Sequence, residues 1–272
     1  MTRGTSEAFV DNLKHLNAKE RDHLMRLAYL GEGAKYEESR VFISAELDRL
    51  LRRLELGERF SLSESATCVF AGMDYHLDWL FAALSAAVVN PGWRPTGDSL
   101  PPVPMEPFEV VDGIKPLYTD FRPVTGSQED IDLLVVYSDG ARLLVLVIEA
   151  KGSAKFDKVQ LARKLIRLDR ILVRSGMLAN DRPQIDFRFV LAAPKSSKPK
   201  ESSCVEYAKS LPPPRSGTDK FRLIREALEN LQSGIGDGVN FLELDCFPKT
   251  PYAVTRLPEG DAFSHWTWKP RR

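Results

Sequence analysis

The residues of this chain best placed to do chemistry lie in "LLVLVIEAKGSAK", residues 143–155, where an aliphatic run ends in Glu149 and Lys151, one residue apart. On an extended strand, side chains at i and i+2 share a face, so a carboxylate and an ammonium project together from the end of a strand that is otherwise apolar. Upstream, "IDLLVVYS" is a second strand candidate, and the Asp139-Gly140 pair between the two runs is a hairpin signature. A turn centred there pairs residues whose numbers sum to about 279–281. That register sets Asp132 opposite Glu149 to within a residue, with Asp130 two positions earlier on the same face. Two carboxylates and a lysine are thereby expected at one end of a sheet. Burying them is costly unless something balances the charge. Lys151 alone could do so as an ion pair. A divalent cation would do so better, because hard ions such as Mg²⁺ take carboxylate oxygens, waters and phosphate oxygens.

The elements that must hold this group follow from periodicity. The first sixty residues carry apolar positions at helical spacing, in "EAFVDNLKHLNAKERDHLMRLAYLG" and "ESRVFISAELDRLLRRLELG", and read as an N-terminal helical layer. "AGMDYHLDWLFAALSAAVVNPG" (71–92) predicts a stronger helix, and the Pro-rich stretch after it a long connector. After the hairpin come a helix from Phe156 to about Ser175, a strand in "IDFRFVLAAP", a helix in "TDKFRLIREALENLQSG" and strands in "VNFLELDCF" and "SHWTWKP". This order predicts an α/β fold: a mixed sheet flanked by helices, with an N-terminal helical extension and a C-terminal α+β extension. The expected organisation is residues 1–60 as the helical layer, 61–200 as the core and 201–272 as an extension packed on it.

Charge is unevenly distributed. The formal net charge is zero, yet residues 151–200 hold 13 Lys/Arg against 4 Asp/Glu. Arg163, Arg167, Arg170 and Arg174 follow i, i+4, i+7 and i+11, forming a stripe beside the apolar Leu161, Leu165, Leu168 and Leu172. A row of guanidiniums leading away from an acidic group is what tracking a phosphate backbone requires, and Lys155 and Lys158 extend it. The bland alternative is a solvated basic face.

Asp132, Glu149-Ala150-Lys151 after a hydrophobic strand, and Gln160 near the start of the next helix together resemble the signature of the PD-(D/E)XK nuclease superfamily. The likeness covers roughly residues 73 to 193 and includes the element order. Ile131 stands where that pattern has proline, which leaves Asp130 as a rival for the first carboxylate. The resemblance implies a restriction endonuclease-like core and Mg²⁺-dependent hydrolysis of a nucleic-acid phosphodiester, with DNA the expected substrate and Mn²⁺ able to substitute. It implies that Asp132, Glu149 and the Ala150 carbonyl hold the metal, that Lys151 orients the attacking water, and that Gln160 positions the water or the lysine. An acidic residue of the first core helix often joins the metal shell in such proteins. Asp74 and Asp78 are the candidates, Asp78 slightly ahead, although a capping or solvated role is commoner for such residues. Many such nucleases act as dimers, so a homodimer through the N-terminal helices is an arrangement to expect. Inactive relatives serve as binding or interaction modules, the alternative reading of the same residues.

Other chemistries find less support. His15, His23, His76 and His265 lack metal-ligand spacing, as do the widely separated Cys68, Cys204 and Cys246. The Gly-rich "SGIGDG" lacks the lysine of a phosphate loop and follows a helix, where glycines terminate and turn. The N-terminus has no signal-peptide core, and the apolar run "WLFAALSAAVV" is too short to span a bilayer. The expectation is a cytoplasmic, reduced protein with no membrane partner.

Overall fold

A computed structural model describes residues 4–17, 22, 24–25, 43–54, 65–89, 129–140, 142–151, 156–177, 185–195, 206, 220–231, 239–244, 252–256 and 266–270. The Pro-rich connector and the "SGIGDG" stretch lie outside these. In chain order the elements are α1 (Thr5–Leu16), α2 (Ala45–Arg52), β1 (Thr67–His76), α3 (Leu77–Val89), β2 (Asp130–Ser138) and β3 (Leu143–Ala150). There follow α4 (Lys158–Arg174), β4 (Ile185–Ala193), α5 (Lys220–Glu229), β5 (Val239–Glu243), β6 (Tyr252–Arg256) and β7 (Trp266–Pro270). The first five strands form one mixed sheet in the order β1-β2-β3-β4-β5, and β6 pairs with β7 in a separate sheet. Strands β1, β2 and β3 are mutually antiparallel, whereas β4 and β5 run parallel to β3. This is the α/β class with a mixed, helix-flanked sheet.

β3 is central, which explains its unbroken aliphatic sequence: a strand covered on both faces has no polar side to display. Leu143, Val145 and Val147 enter one core, with α1, α3, α4 and α5. Leu144, Leu146 and Ile148 enter a second, with Leu51 of α2. Among the described residues, α1 and α2 therefore do not form one layer; they pack against opposite faces of the sheet. α1 is tied to the first face by Tyr75 Oη, which donates to the Leu13 carbonyl at 3.1 Å. The asparagine amide of Asn12 donates to the Ala83 carbonyl at 3.3 Å. β5 of the C-terminal region completes the sheet, and Ile224 and Leu228 of α5 join the first core.

The hairpin forms as its turn residues demand. Gly140 has φ +92°, and Asp139 Oδ1 accepts the Arg142 amide at 2.7 Å. A positive φ is where glycine carries no steric penalty. The observed register pairs Leu133 with Ile148 and Ser138 with Leu143, one of the registers expected from the turn.

The helix expected over residues 71–92 begins only at Leu77, because Thr67–His76 is the first strand. Hydrogen bonding to β2 prevails there over the helix-like spacing of a few apolar residues. Asp74 has φ +48°, a conformation that aspartate tolerates better than most residues. Beyond it strict alternation fails: Ala71 lies in the second core, yet Tyr75, four residues on, lies in the first. Asp74 and Asp78 consequently sit on different elements rather than one turn apart on a helix.

Candidate active site

The β2–β3 ladder extended by one pair from Leu133 and Ile148 sets Asp132 opposite Glu149 at the carboxyl end of β3. The Ala150 amide donates to Asp132 Oδ2 at 2.6 Å, so the main chain of one strand fixes the carboxylate of the other. Lys151 follows immediately, anchored by its amide to the Ala192 carbonyl at 2.9 Å. Its ammonium favours the ionised form of Glu149, as a nearby cation should. Asp130 is placed differently: it pairs with His76 across β1 and β2, and its main-chain carbonyl faces α4.

The residue that sequence reasoning missed is Lys164. It projects from α4, is only 4% exposed, and donates from Nζ to Glu149 Oε1 and to the Asp130 carbonyl, the latter at 2.6 Å. Glu149 is itself 2% exposed. Burial pushes its carboxyl up to about 7, assisted by the Asp132 charge, while Lys164 and Lys151 pull the other way without prevailing. A signal for Lys164 was present: it lies at i+3 from Leu161 and i−4 from Leu168, inside the apolar stripe. A lysine there must find a carboxylate.

Other expected site residues are dispersed. Gln160 is exposed in the first turn of α4, where its amide is taken by the N-cap Asp157 at 3.0 Å. Its side chain makes no hydrogen bond to Asp132, Glu149 or Lys151. Asp78 accepts from Arg167 Nη2, and Arg167 Nη1 donates to Glu129 Oε2 at 2.7 Å. Arg167 is fully buried, so it cannot belong to a solvent-facing arginine stripe. The physical reason is its position at i+3 from Lys164, on the flank where α4 meets α3 and the start of β2. Lys158, Arg163 and Arg170 are half-buried and Arg174 is exposed. Lys155 lies outside the described residues. Asp74, like Asp132 and the buried Asp22, lines a cavity of about 820 Å³ on the α2 face, walled by Leu47, Leu133, Ile148 and Leu242.

Two carboxylates on neighbouring strands, with a main-chain carbonyl between Glu149 and Lys151, are the donor types a hard divalent cation takes. The hydrogen bonds above leave one oxygen of each carboxylate, Asp132 Oδ1 and Glu149 Oε2, unused. To that extent the residues fit Mg²⁺ or Mn²⁺. Among the described residues, no three His, Cys, Asp or Glu side chains are gathered so as to share a metal.

No family model matches the chain, and no curated protein or solved structure does. Among the described residues no helix is long and apolar enough to cross a membrane.

Proposed function

We propose that the chain is a divalent-metal-dependent nuclease acting on DNA, with its site at the carboxyl end of β3. The observation that carries this reading is the juxtaposition of Asp132 and Glu149 across one hairpin, with Lys151 next in line. Asp132, Glu149 and the Ala150 carbonyl would hold the ion, which when bound polarises a phosphodiester and lowers the pKa of a water. The Ala150 amide holds one oxygen of Asp132 in place and leaves the other to bind. Lys151 supplies a positive charge where negative charge develops on the phosphate, and helps orient the water. Lys158, Arg163, Arg170 and Arg174 offer the phosphate backbone a basic helix face.

A second reading is favoured by one observation: Lys164 already neutralises Glu149. On that reading the protein is an inactive nucleic-acid-binding or interaction module, and the Glu149–Lys164 pair is structural. Cleavage of supercoiled plasmid and of labelled single-stranded and branched DNA, with Mg²⁺, Mn²⁺ or EDTA, separates the two. The nuclease reading expects metal-dependent cutting that Asp132→Asn, Glu149→Gln and Lys151→Ala each abolish. Salt-dependent retention of DNA without cutting, equal in wild type and all three variants, would leave the binding module as the function.

A further inference from the structure

We propose that Lys164 is an internal counter-cation of the acidic site, and that its ammonium leaves Glu149 when a divalent cation binds there. The inference rests on the metal-dependent reading above and adds a device that regulates the same site. Lys164 stands at the edge of the apolar face of α4: Leu161 at i−3 and Leu168 at i+4 are buried apolar residues, and Arg167 at i+3 is a second buried cation with carboxylates of its own. A lysine buried there is retained against its desolvation only by the two oxygens it reaches, one charged and one neutral. The charged oxygen belongs to the carboxylate that a metal would use. A divalent ion and an ammonium sharing one buried carboxylate repel strongly, since little water intervenes to screen them. The neutral oxygen, the Asp130 carbonyl, offers the ammonium a seat it can keep after giving up Glu149. A four-carbon stem permits that movement without displacing α4. The lysine then balances Glu149 before metal arrives and makes metal binding weaker than the donor set alone would allow.

The wild-type protein supplies the first test. A buried ammonium held by a carboxylate exchanges slowly enough to be followed through its ¹⁵Nζ resonance, assigned here by its loss in Lys164→Arg. The Ala150 amide, hydrogen-bonded to Asp132, reports independently on ion binding. During a Mg²⁺ titration both signals should move together. If the Ala150 amide moves and the Lys164 signal does not, displacement is refuted while metal binding stands. If neither moves, the metal-dependent reading falls and takes this inference with it. A second test compares Mn²⁺ affinity by electron paramagnetic resonance at pH 8.5, where protons compete least for the carboxylates. Lys164→Gln should bind about tenfold tighter or more, and Lys164→Arg should remain near wild type. Equal affinity in all three would overturn the inference.

Discussion

Replacing Arg167 with methionine tests the buried clasp that the structure puts in place of a surface stripe. Arg167 is completely buried, and its two Nη atoms reach Asp78 at the start of α3 and Glu129 just before β2. The Glu129 carbonyl accepts the Leu77 amide at 3.1 Å, so α3, α4 and the entry to β2 are joined at one point. Methionine fills much of the volume of the arginine stem but removes the cation that both carboxylates bind. Breaking a buried pair from one side costs about 3–5 kcal/mol. The side chains of Asp78 and Glu129 retain 15% and 25% exposure, so partial rehydration places the cost at the lower end. A loss of about 3 kcal/mol is expected, a large share of the roughly 5–15 kcal/mol available to a typical domain. At about 2–4 °C per kcal/mol, the melting temperature should fall by roughly 6–12 °C. Arg167→Lys should fall between, keeping the charge but losing the fork that meets two partners. Urea and thermal unfolding followed by circular dichroism measure both effects. The reasoning is refuted if Arg167→Met stays within about 1 kcal/mol of wild type.

Three further outcomes are expected. The Glu149 carboxyl is raised from 4.5 to about 7 in the folded protein, so the folded state holds its proton more tightly than the unfolded state. Wild-type stability relative to Glu149→Gln should therefore decline as pH rises from about 4.5 to about 7, by about 3 kcal/mol, and level off above; parallel curves of urea midpoint against pH would contradict the assigned burial. Tyr137 Oη donates to Asp48 Oδ1 at 2.7 Å, and Arg52 shares that carboxylate while covering the tyrosine ring, so Tyr137→Phe should cost about 1 kcal/mol. A double-mutant cycle with Asp48→Asn that shows no coupling would remove this link between α2 and the sheet. A methyl group added at Gly72 would fall 2.9 Å from Phe70 Cζ and 3.2 Å from Tyr75 Cδ2, crowding rings that already meet edge to face. Gly72→Ala should lose about 1–3 kcal/mol in chemical denaturation, and a variant as stable as wild type would show that the rings yield freely.

The parts of the fold legible in the sequence were those set by local chemistry. Asp139-Gly140 fixed a turn, the turn fixed a register, and the register put Asp132 beside Glu149 before any long-range contact was considered. The doubly buried β3 announced itself in the same way, through an aliphatic run with no polar alternation. β1 was hidden because its strand character comes from pairing with β2, fifty-odd residues away, and because Asp74 at positive φ disrupts its alternation. The opposite placement of α1 and α2 was hidden for a related reason: two amphipathic helices in sequence do not say which face of a sheet each will cover.

The basic residues of α4 are the most instructive case, because sequence treats them as one population and the fold does not. Arg163, Arg170 and Arg174 share the outer arc, whereas Lys164 and Arg167, three residues apart, share the flank that turns inward. Each inward cation meets carboxylates from other elements: Glu149 on β3 for Lys164, Asp78 and Glu129 for Arg167. Those carboxylates are far away in sequence, so each pairing is visible only once β2 and β3 lie against α4. The helix thus divides its charge between holding the core and facing solvent. A stripe of four arginines shrinks to three, and a lysine outside the stripe becomes the cation paired with Glu149. If α4 binds a phosphate backbone, its outer arc must do so, and neutralising Arg163, Arg170 and Arg174 together should abolish DNA retention. Retention that survives that triple change would move the polyanion-binding surface off this helix altogether.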